Sequence, residues 1–215
     1  MSIKIYEILY TIQGESSFAG YPCVLIRLSG CNLRCSYCDT SFAYSNGSYM
    51  SINEIIKTLK SYDCSLIEVT GGEPLMQEQT PLLIKKLLNL DYKVLLETNG
   101  SYSIDSVDRR CIKIIDIKCP SSGEHNKNYF ENFNKLNEFD ELKFVIGDKT
   151  DYEYAKEIIK KFQLSKKNTV LFSPIFGILE LERLAKWILS DNLNVKIQAQ
   201  LHKIIWKQNN KFSSH

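Results

Sequence analysis

Leu66-Ile-Glu-Val-Thr-Gly-Gly-Glu-Pro74 reads as a short strand running into a glycine turn. The same figure recurs downstream. Lys93-Val-Leu-Leu-Glu-Thr98 ends at Asn99-Gly100, and Ile112-Lys-Ile-Ile-Asp-Ile-Lys118 ends at Cys119-Pro120. Glu141-Leu-Lys-Phe-Val-Ile-Gly147 and Thr169-Val-Leu-Phe-Ser-Pro174 continue it, and Val195-Lys-Ile-Gln-Ala-Gln200 closes the series. Helices fall between these runs. Ser51-Ile-Asn-Glu54 is a capping-box pattern opening a helix to about Tyr62, and Thr150-Asp-Tyr-Glu153 caps another to about Phe162. Further helices are predicted from Thr80 to Asn89 and from Leu179 to Leu189. Upstream, residues 3–13 and Val24–Leu28 are strand-like, while the polar stretch from Cys119 to Asn137 reads as a long loop. Strands alternating with helices predict a mostly parallel sheet with right-handed crossovers. About six βα-type units are too few for a closed eight-stranded barrel. The expected α/β fold is therefore an open, partial (βα)6-type TIM barrel, built as one domain over residues 1–215 with a polar tail from about 207. Parallel α/β folds put their sites at the carboxyl ends of the strands. Gly71-Gly72-Glu73, Glu97-Thr98-Asn99 and Asp116-Ile-Lys118 all fall there, so they are expected to meet in one mouth.

A second stretch supplies the chemistry. Cys31-Asn-Leu-Arg-Cys35-Ser-Tyr-Cys38 sets three thiols in one loop, spaced to converge on a small inorganic centre with one corner left without a protein ligand. A structural zinc site takes four ligands, and no second CxxC or HxxxH pair completes one. Iron–sulfur clusters are held by thiolates and fit the trio better. Cys23, Cys64, Cys111 and Cys119 each stand alone, mostly in apolar surroundings where a cysteine serves as a small core hydrophobe. The chain has 215 residues, 44% hydrophobic and 24% charged, with a net charge of +2, so nothing calls for nucleic acid or an acidic membrane as a partner. An odd count of seven cysteines without a secretion signal points to a reducing cytosol.

Two further features invite a ligand. Gln13-Gly14-Glu15 is a turn whose glycine permits close backbone approach and whose neighbours offer polar groups. Arg27 interrupts the apolar run Val24-Leu-Ile-Arg-Leu28. A charge in such a strand is costly without a partner, and a guanidinium there suits a carboxylate or snorkels from the sheet rim.

On these residues the chain resembles the radical S-adenosylmethionine (SAM) superfamily, through Cys31-x3-Cys35-x2-Cys38, Thr70-Gly-Gly-Glu-Pro74 and Glu97-Thr-Asn-Gly100. More narrowly, it resembles the 7-carboxy-7-deazaguanine synthase family of 7-deazapurine and queuosine biosynthesis. That likeness rests on Thr11-Ile-Gln-Gly-Glu15, Cys38-Asp-Thr40, Asp116-Ile-Lys-Cys-Pro-Ser-Ser122 and Gln200-Leu-His-Lys203. The resemblance implies a [4Fe–4S] cluster on Cys31, Cys35 and Cys38 whose open iron holds SAM. It implies Gly71, Gly72, Glu73, Glu97, Asp116 and Lys118 around SAM. It places 6-carboxy-5,6,7,8-tetrahydropterin against Thr11, Ile12, Gln13, Glu15, Arg27 and Thr70, with Mg²⁺ at Thr40. SAM would be used catalytically, the pterin ring would contract with loss of ammonia, and no protein side chain is assigned as acid or base. His202 and Gln200 are expected at a strand end where the family closes its pocket. The family also implies a flavodoxin- or ferredoxin-type reductant, a homodimer and a cytoplasmic location. A glycyl-radical-enzyme activating enzyme is the rival enzyme reading; a zinc-binding module is the non-enzymatic one.

Overall fold

The structure is a computed structural model that describes residues 2–206. β1 (Ser2–Ile12) and β2 (Pro22–Leu28) form an antiparallel hairpin, and β3 (Ser48–Ser51) pairs antiparallel with the start of β1. From β2 onward every pairing is parallel. β4 (Leu66–Gly71), β5 (Lys93–Thr98), β6 (Ile112–Ile117), β7 (Glu141–Ile146), β8 (Thr169–Pro174) and β9 (Lys196–Ile197) follow in chain order. The nine strands make one open sheet, ordered β3-β1-β2-β4-β5-β6-β7-β8-β9. Helices α1 (Ile52–Leu59), α2 (Thr80–Leu88), α3 (Lys149–Phe162), α4 (Leu181–Ser190) and α5 (Leu201–Ile205) complete it. The β5–β6 and β6–β7 crossovers carry turns and short 3₁₀ segments instead of α-helices, so the partial barrel is abbreviated on that side.

Strand alternation divides the sheet into two faces. Ile26, Val69, Leu96, Ile115, Phe144 and Phe172 are fully buried in the main core with the helices. Each such side chain contributes about 1.5–3 kcal/mol by leaving water. Residues of opposite parity line a cavity: Arg27, Glu68, Thr70, Glu97, Asp116 and Lys143. Beneath these, Cys23, Leu66, Leu95 and Ile114 form a small apolar plug on the same face.

Several boundaries differ from the sequence reading. The capping box on α1 forms as expected, with Glu54 N–H donating to Ser51 Oγ and Ser51 N–H to Glu54. The cap of α3 is Asp148, not Thr150: its extended backbone lets its carboxylate accept from Asp151 N–H, and the helix starts at Lys149. The strand expected over Val195–Gln200 shrinks to two residues, Lys196 and Ile197 in register with β8, and the last backbone bond to that strand runs from Gln198 N–H to Phe172 O at 2.8 Å. Gln200 and His202 are therefore not at a strand end; Gln200 precedes α5 and His202 lies within it. β3 was not anticipated, since Ser48-Tyr-Met-Ser51 carries little apolar pattern. The long loop after Cys119 is ordered into 3₁₀ turns at Pro120–Ser122, His125–Lys127 and Phe130–Asn134. The polar tail from about 207 lies outside the described residues. No helix among the described residues is long and apolar enough to cross a membrane.

Candidate active site

The loop after β2 carries Cys31, Cys35 and Cys38, all free and partly buried, on the wall of a cavity of about 1190 Å³. That volume exceeds the roughly 300–1,000 Å³ of a typical small-molecule pocket, so more than one molecule fits. Cys38 N–H closes a turn on Cys35 O at 3.1 Å, and Asn99 Nδ2 reaches Cys31 Sγ at 3.8 Å. Thr40 Oγ1 lies 3.6 Å from Cys38 Sγ. Burial pushes the Cys35 thiol up to about 11, with the Lys118 charge opposing. Such a thiol ionises when a metal displaces its proton. Cys111 and Cys119, by contrast, are sealed in the core, and burial likewise raises their thiols.

The glycine turn after β4 is laced to this loop. Gly72 N–H donates to Leu28 O at 3.2 Å and Glu73 N–H to Gly30 O at 2.8 Å. Gly71 has φ +134°, and a Cβ at Gly72 would stand 1.9 Å from Gly30 O. Only glycine permits either backbone. Glu73 is the one site residue read from the sequence that does not line the cavity. Fully buried, its carboxylate accepts from Thr98 Oγ1 at 2.8 Å, Asn99 N–H at 2.7 Å and Leu75 N–H at 2.9 Å. It ties the turn to the end of β5.

A web of charge occupies the concave face. Lys143 Nζ donates to Glu15 Oε2 at 2.9 Å and to Glu97, and lies 3.8 Å from Asp116 Oδ2. Lys118 Nζ donates to Asp116 Oδ2 at 2.7 Å. Burial alone would discharge Lys143, but Glu15, Glu97 and Asp116 hold it well above the usual lysine range. Burial likewise opposes ionisation of Glu15, yet Lys143 and Gln200 bring it down to about 2. Glu68 behaves oppositely: burial, then the neighbouring Glu97 charge, push it up to about 8, although Gln13 Nε2 donates to it at 2.6 Å. Arg27 is buried, with Nε donating to Glu7 Oε1 at 2.8 Å and its guanidinium near the Phe42 ring. It is both an ion-paired strand residue and part of the cavity wall.

α5 spans the mouth. Leu201 N–H donates to Gly14 O at 2.9 Å, Gln200 Nε2 to Glu15 Oε1 at 2.8 Å, and Lys203 pairs with Asp39 at 2.8 Å. One short helix thus joins the Gln13–Glu15 turn to the end of the cysteine loop.

Residues 25–188 match the profile of the radical SAM superfamily. The chain is 47% identical to the 7-carboxy-7-deazaguanine synthase of Chlorobaculum tepidum over 207 residues, 95% of this chain and 94% of that protein. The chain belongs to this family of radical SAM proteins. Identity to the synthase of Koribacter versatilis is 40% over 219 residues, covering 95% of this chain and 97% of the relative. The crystal structure of QueE from Escherichia coli shares the fold, with a TM-score of 0.79 and 21% identity over 94% of this chain and 95% of that one. Membership in the synthase family sets aside both the activating-enzyme reading and the zinc module.

The residues fit the groups a radical SAM synthase carries. Among the described residues no three His, Cys, Asp or Glu side chains lie close enough to hold a single metal ion. Three free thiols on one loop at the cavity wall are the donor set that an iron–sulfur cluster takes. Asp116 Oδ1 and the Tyr37 hydroxyl are buried beside the cavity with no partner among the described residues. Buried polar atoms left open in this way are where a ligand's hydrogen-bonding groups belong. At Thr40 a lone hydroxyl faces the same space, so a Mg²⁺ there would draw its other oxygens from substrate and water. The sequence reading missed Glu68, Lys143 and Gln198, although Arg27 carried the same signal as the first two: a charge inside an apolar strand.

Proposed function

We propose that this chain converts 6-carboxy-5,6,7,8-tetrahydropterin to 7-carboxy-7-deazaguanine with loss of ammonia, using SAM catalytically. The observation that carries it is family membership over nearly the whole chain, joined to one cavity lined by the thiols and by the charged face. When bound, the cluster and SAM supply the radical that takes a hydrogen atom from the substrate. The chain's own part is to bind, orient and shield. Cys31, Cys35 and Cys38 hold the cluster. Gly71 and Gly72 bring backbone close to SAM, and Asp116 Oδ1 and the Tyr37 hydroxyl offer it open hydrogen-bonding positions. Glu97, Lys118 and the buried Glu73 brace that side.

With Nε committed to Glu7, Arg27 offers its terminal nitrogens to the substrate carboxylate as a planar fork. Thr11, Ile12, Gln13, Glu15 and Thr70 surround the pterin. Lys143 holds Glu15 ionised as an acceptor for pterin N–H groups and also donates to Glu97, and Thr40 provides one oxygen to a Mg²⁺ that orients the substrate. Resemblance to the family further supports a homodimer in the cytoplasm, reduced by a flavodoxin- or ferredoxin-type protein.

The test is anaerobic incubation with SAM, reductant and the carboxylated tetrahydropterin. Many product molecules per SAM are expected; SAM cleavage without product overturns the reading. Chelation of Mg²⁺ and Thr40→Ala should each lower turnover while leaving SAM cleavage without substrate intact, with Thr40→Ser retaining activity.

A further inference from the structure

The stretch Cys119-Pro-Ser-Ser-Gly-Glu124 after β6 does not line the cavity, yet it grips the cysteine loop on both sides of Cys35. Arg34 N–H donates to Glu124 Oε1 at 2.6 Å. Ser36 N–H donates to Ser122 O at 3.0 Å, and Ser36 Oγ to Ser121 O at 2.6 Å. The residues before and after the middle cysteine are therefore fixed to one external segment. That segment is itself anchored from below. Asp151, fully buried, accepts from Ser121 N–H at 2.9 Å, from Ser121 Oγ, and from Gly147 N–H at 2.8 Å. Its carboxylate sits in the first turn of α3, where the helix dipole favours negative charge. Gly147 has little room for a side chain: a Cβ there would come within 3.1 Å of Ser121 Oγ and 2.7 Å of Ile175 Cδ1. A buried carboxylate is costly to keep unless its hydrogen bonds are made, and here they are made to one turn.

We propose that Glu124, Ser122 and Ser121, anchored by Asp151, are positioning residues that set the orientation of Cys35 and so govern the hold on the cluster and its electronic environment. The inference rests on the assignment of the cluster to Cys31, Cys35 and Cys38. Partners that hydrogen-bond a metal ligand itself fix its direction, and their loss costs about 10–100-fold in metal affinity or activity; here the bonds fall on Arg34 and Ser36, which flank Cys35, so the low end of that range is expected. Hydrogen bonds and charge around the thiolates also tune an iron–sulfur centre. The β6–β7 crossover, which lacks an α-helix, brings its backbone onto the loop instead.

The experiment uses the reconstituted full-length holoenzyme. Iron release to a chelator and the electron paramagnetic resonance spectrum of the reduced cluster without SAM are compared across variants. Glu124→Ala removes an acceptor at the protein's margin and leaves the core untouched. It should release iron about tenfold faster and alter the spectrum, while Glu124→Gln, which keeps the acceptor oxygen, should match wild type. Asp151→Asn should behave like Glu124→Ala or worse. Iron release and spectra unchanged in Glu124→Ala and Asp151→Asn overturn the inference. A wild-type protein that binds no cluster overturns the cluster assignment and this inference together, whereas a loaded wild type with indifferent variants sinks this one alone.

Discussion

The rim of the cavity and its floor are held by different physics. At the rim the cysteine loop meets the glycine turn through backbone hydrogen bonds and the absence of side chains. Gly72 touches Gly30 so closely that no Cβ fits. On the floor Glu15, Glu68, Glu97 and Asp116 face Lys118 and Lys143, and what matters is which groups carry charge. The rim is limited by fractions of an ångström, the floor by unpaired charges. A substitution should therefore fail abruptly at the rim and gradually, with pH and compensating changes, on the floor.

The largest effect is expected from Gly72→Ala. Its Cβ would meet a backbone oxygen at 1.9 Å, which cannot swing aside as a side chain can. A shift of about 1 Å at a reacting site costs roughly a hundredfold, so SAM cleavage under reducing conditions should fall at least that far. Circular dichroism should remain native. Cleavage near the wild-type rate would erase the distinction drawn for the rim.

Lys143→Met comes next. It leaves Glu15 and Glu97 without their shared cation, and breaking a buried pair in this way costs about 3–5 kcal/mol. Denaturant unfolding should report most of that loss, and substrate turnover should vanish while SAM cleavage persists. Adding Glu15→Gln should recover part of the stability; no recovery would mean that Lys143 acts by packing.

Glu68 gives a smaller effect that depends on pH. Its carboxyl moves from 4.5 to about 8 on folding, mainly by burial. Below 4.5 it is neutral in both states and costs nothing. Between 4.5 and about 8 the unfolded chain gives up a proton that the folded chain keeps. Stability should fall with rising pH across that window, by up to about 1.4 kcal/mol per unit from this group. Glu68→Gln should flatten the slope, as read from unfolding midpoints at several pH values. A slope equal to that of wild type would assign it elsewhere.

The smallest effects belong to the cysteines away from the rim. Cys64→Ala and Cys111→Ala should leave iron–sulfur absorbance intact and cost about 1 kcal/mol or less, as small hydrophobe truncations. Loss of the cluster in either variant would redraw the ligand set.

Much of this architecture was legible because strand ends punctuate a parallel sheet. Thr70-Gly-Gly, Glu97-Thr and Asp116-Ile-Lys each announced a strand terminus, and the structure brings them into one mouth. What escaped did so for local reasons. Glu68 and Lys143 lie inside apolar runs where alternation turns them inward, and reading them as Arg27 was read would have found them. Glu73 looked like a cofactor residue because it follows the glycines, but three donors from neighbouring backbone and Thr98 consume it. Gln198 offered no signal at all. Its N–H still donates to Phe172 O on β8, and its side chain, on the same face as Lys196, donates to Glu15 and accepts from Ser16 N–H.

The cysteine loop alternates in exposure as well as in chemistry. Asn32, Arg34 and Ser36 face outward while Cys31, Cys35 and Cys38 line the cavity. Solvent thus reaches the outer side of the loop one residue away from Cys31 and Cys35, apart from the cavity that the cysteines line. The loop is a wall with two sides, one wet and polar, the other turned to the cavity and whatever it binds.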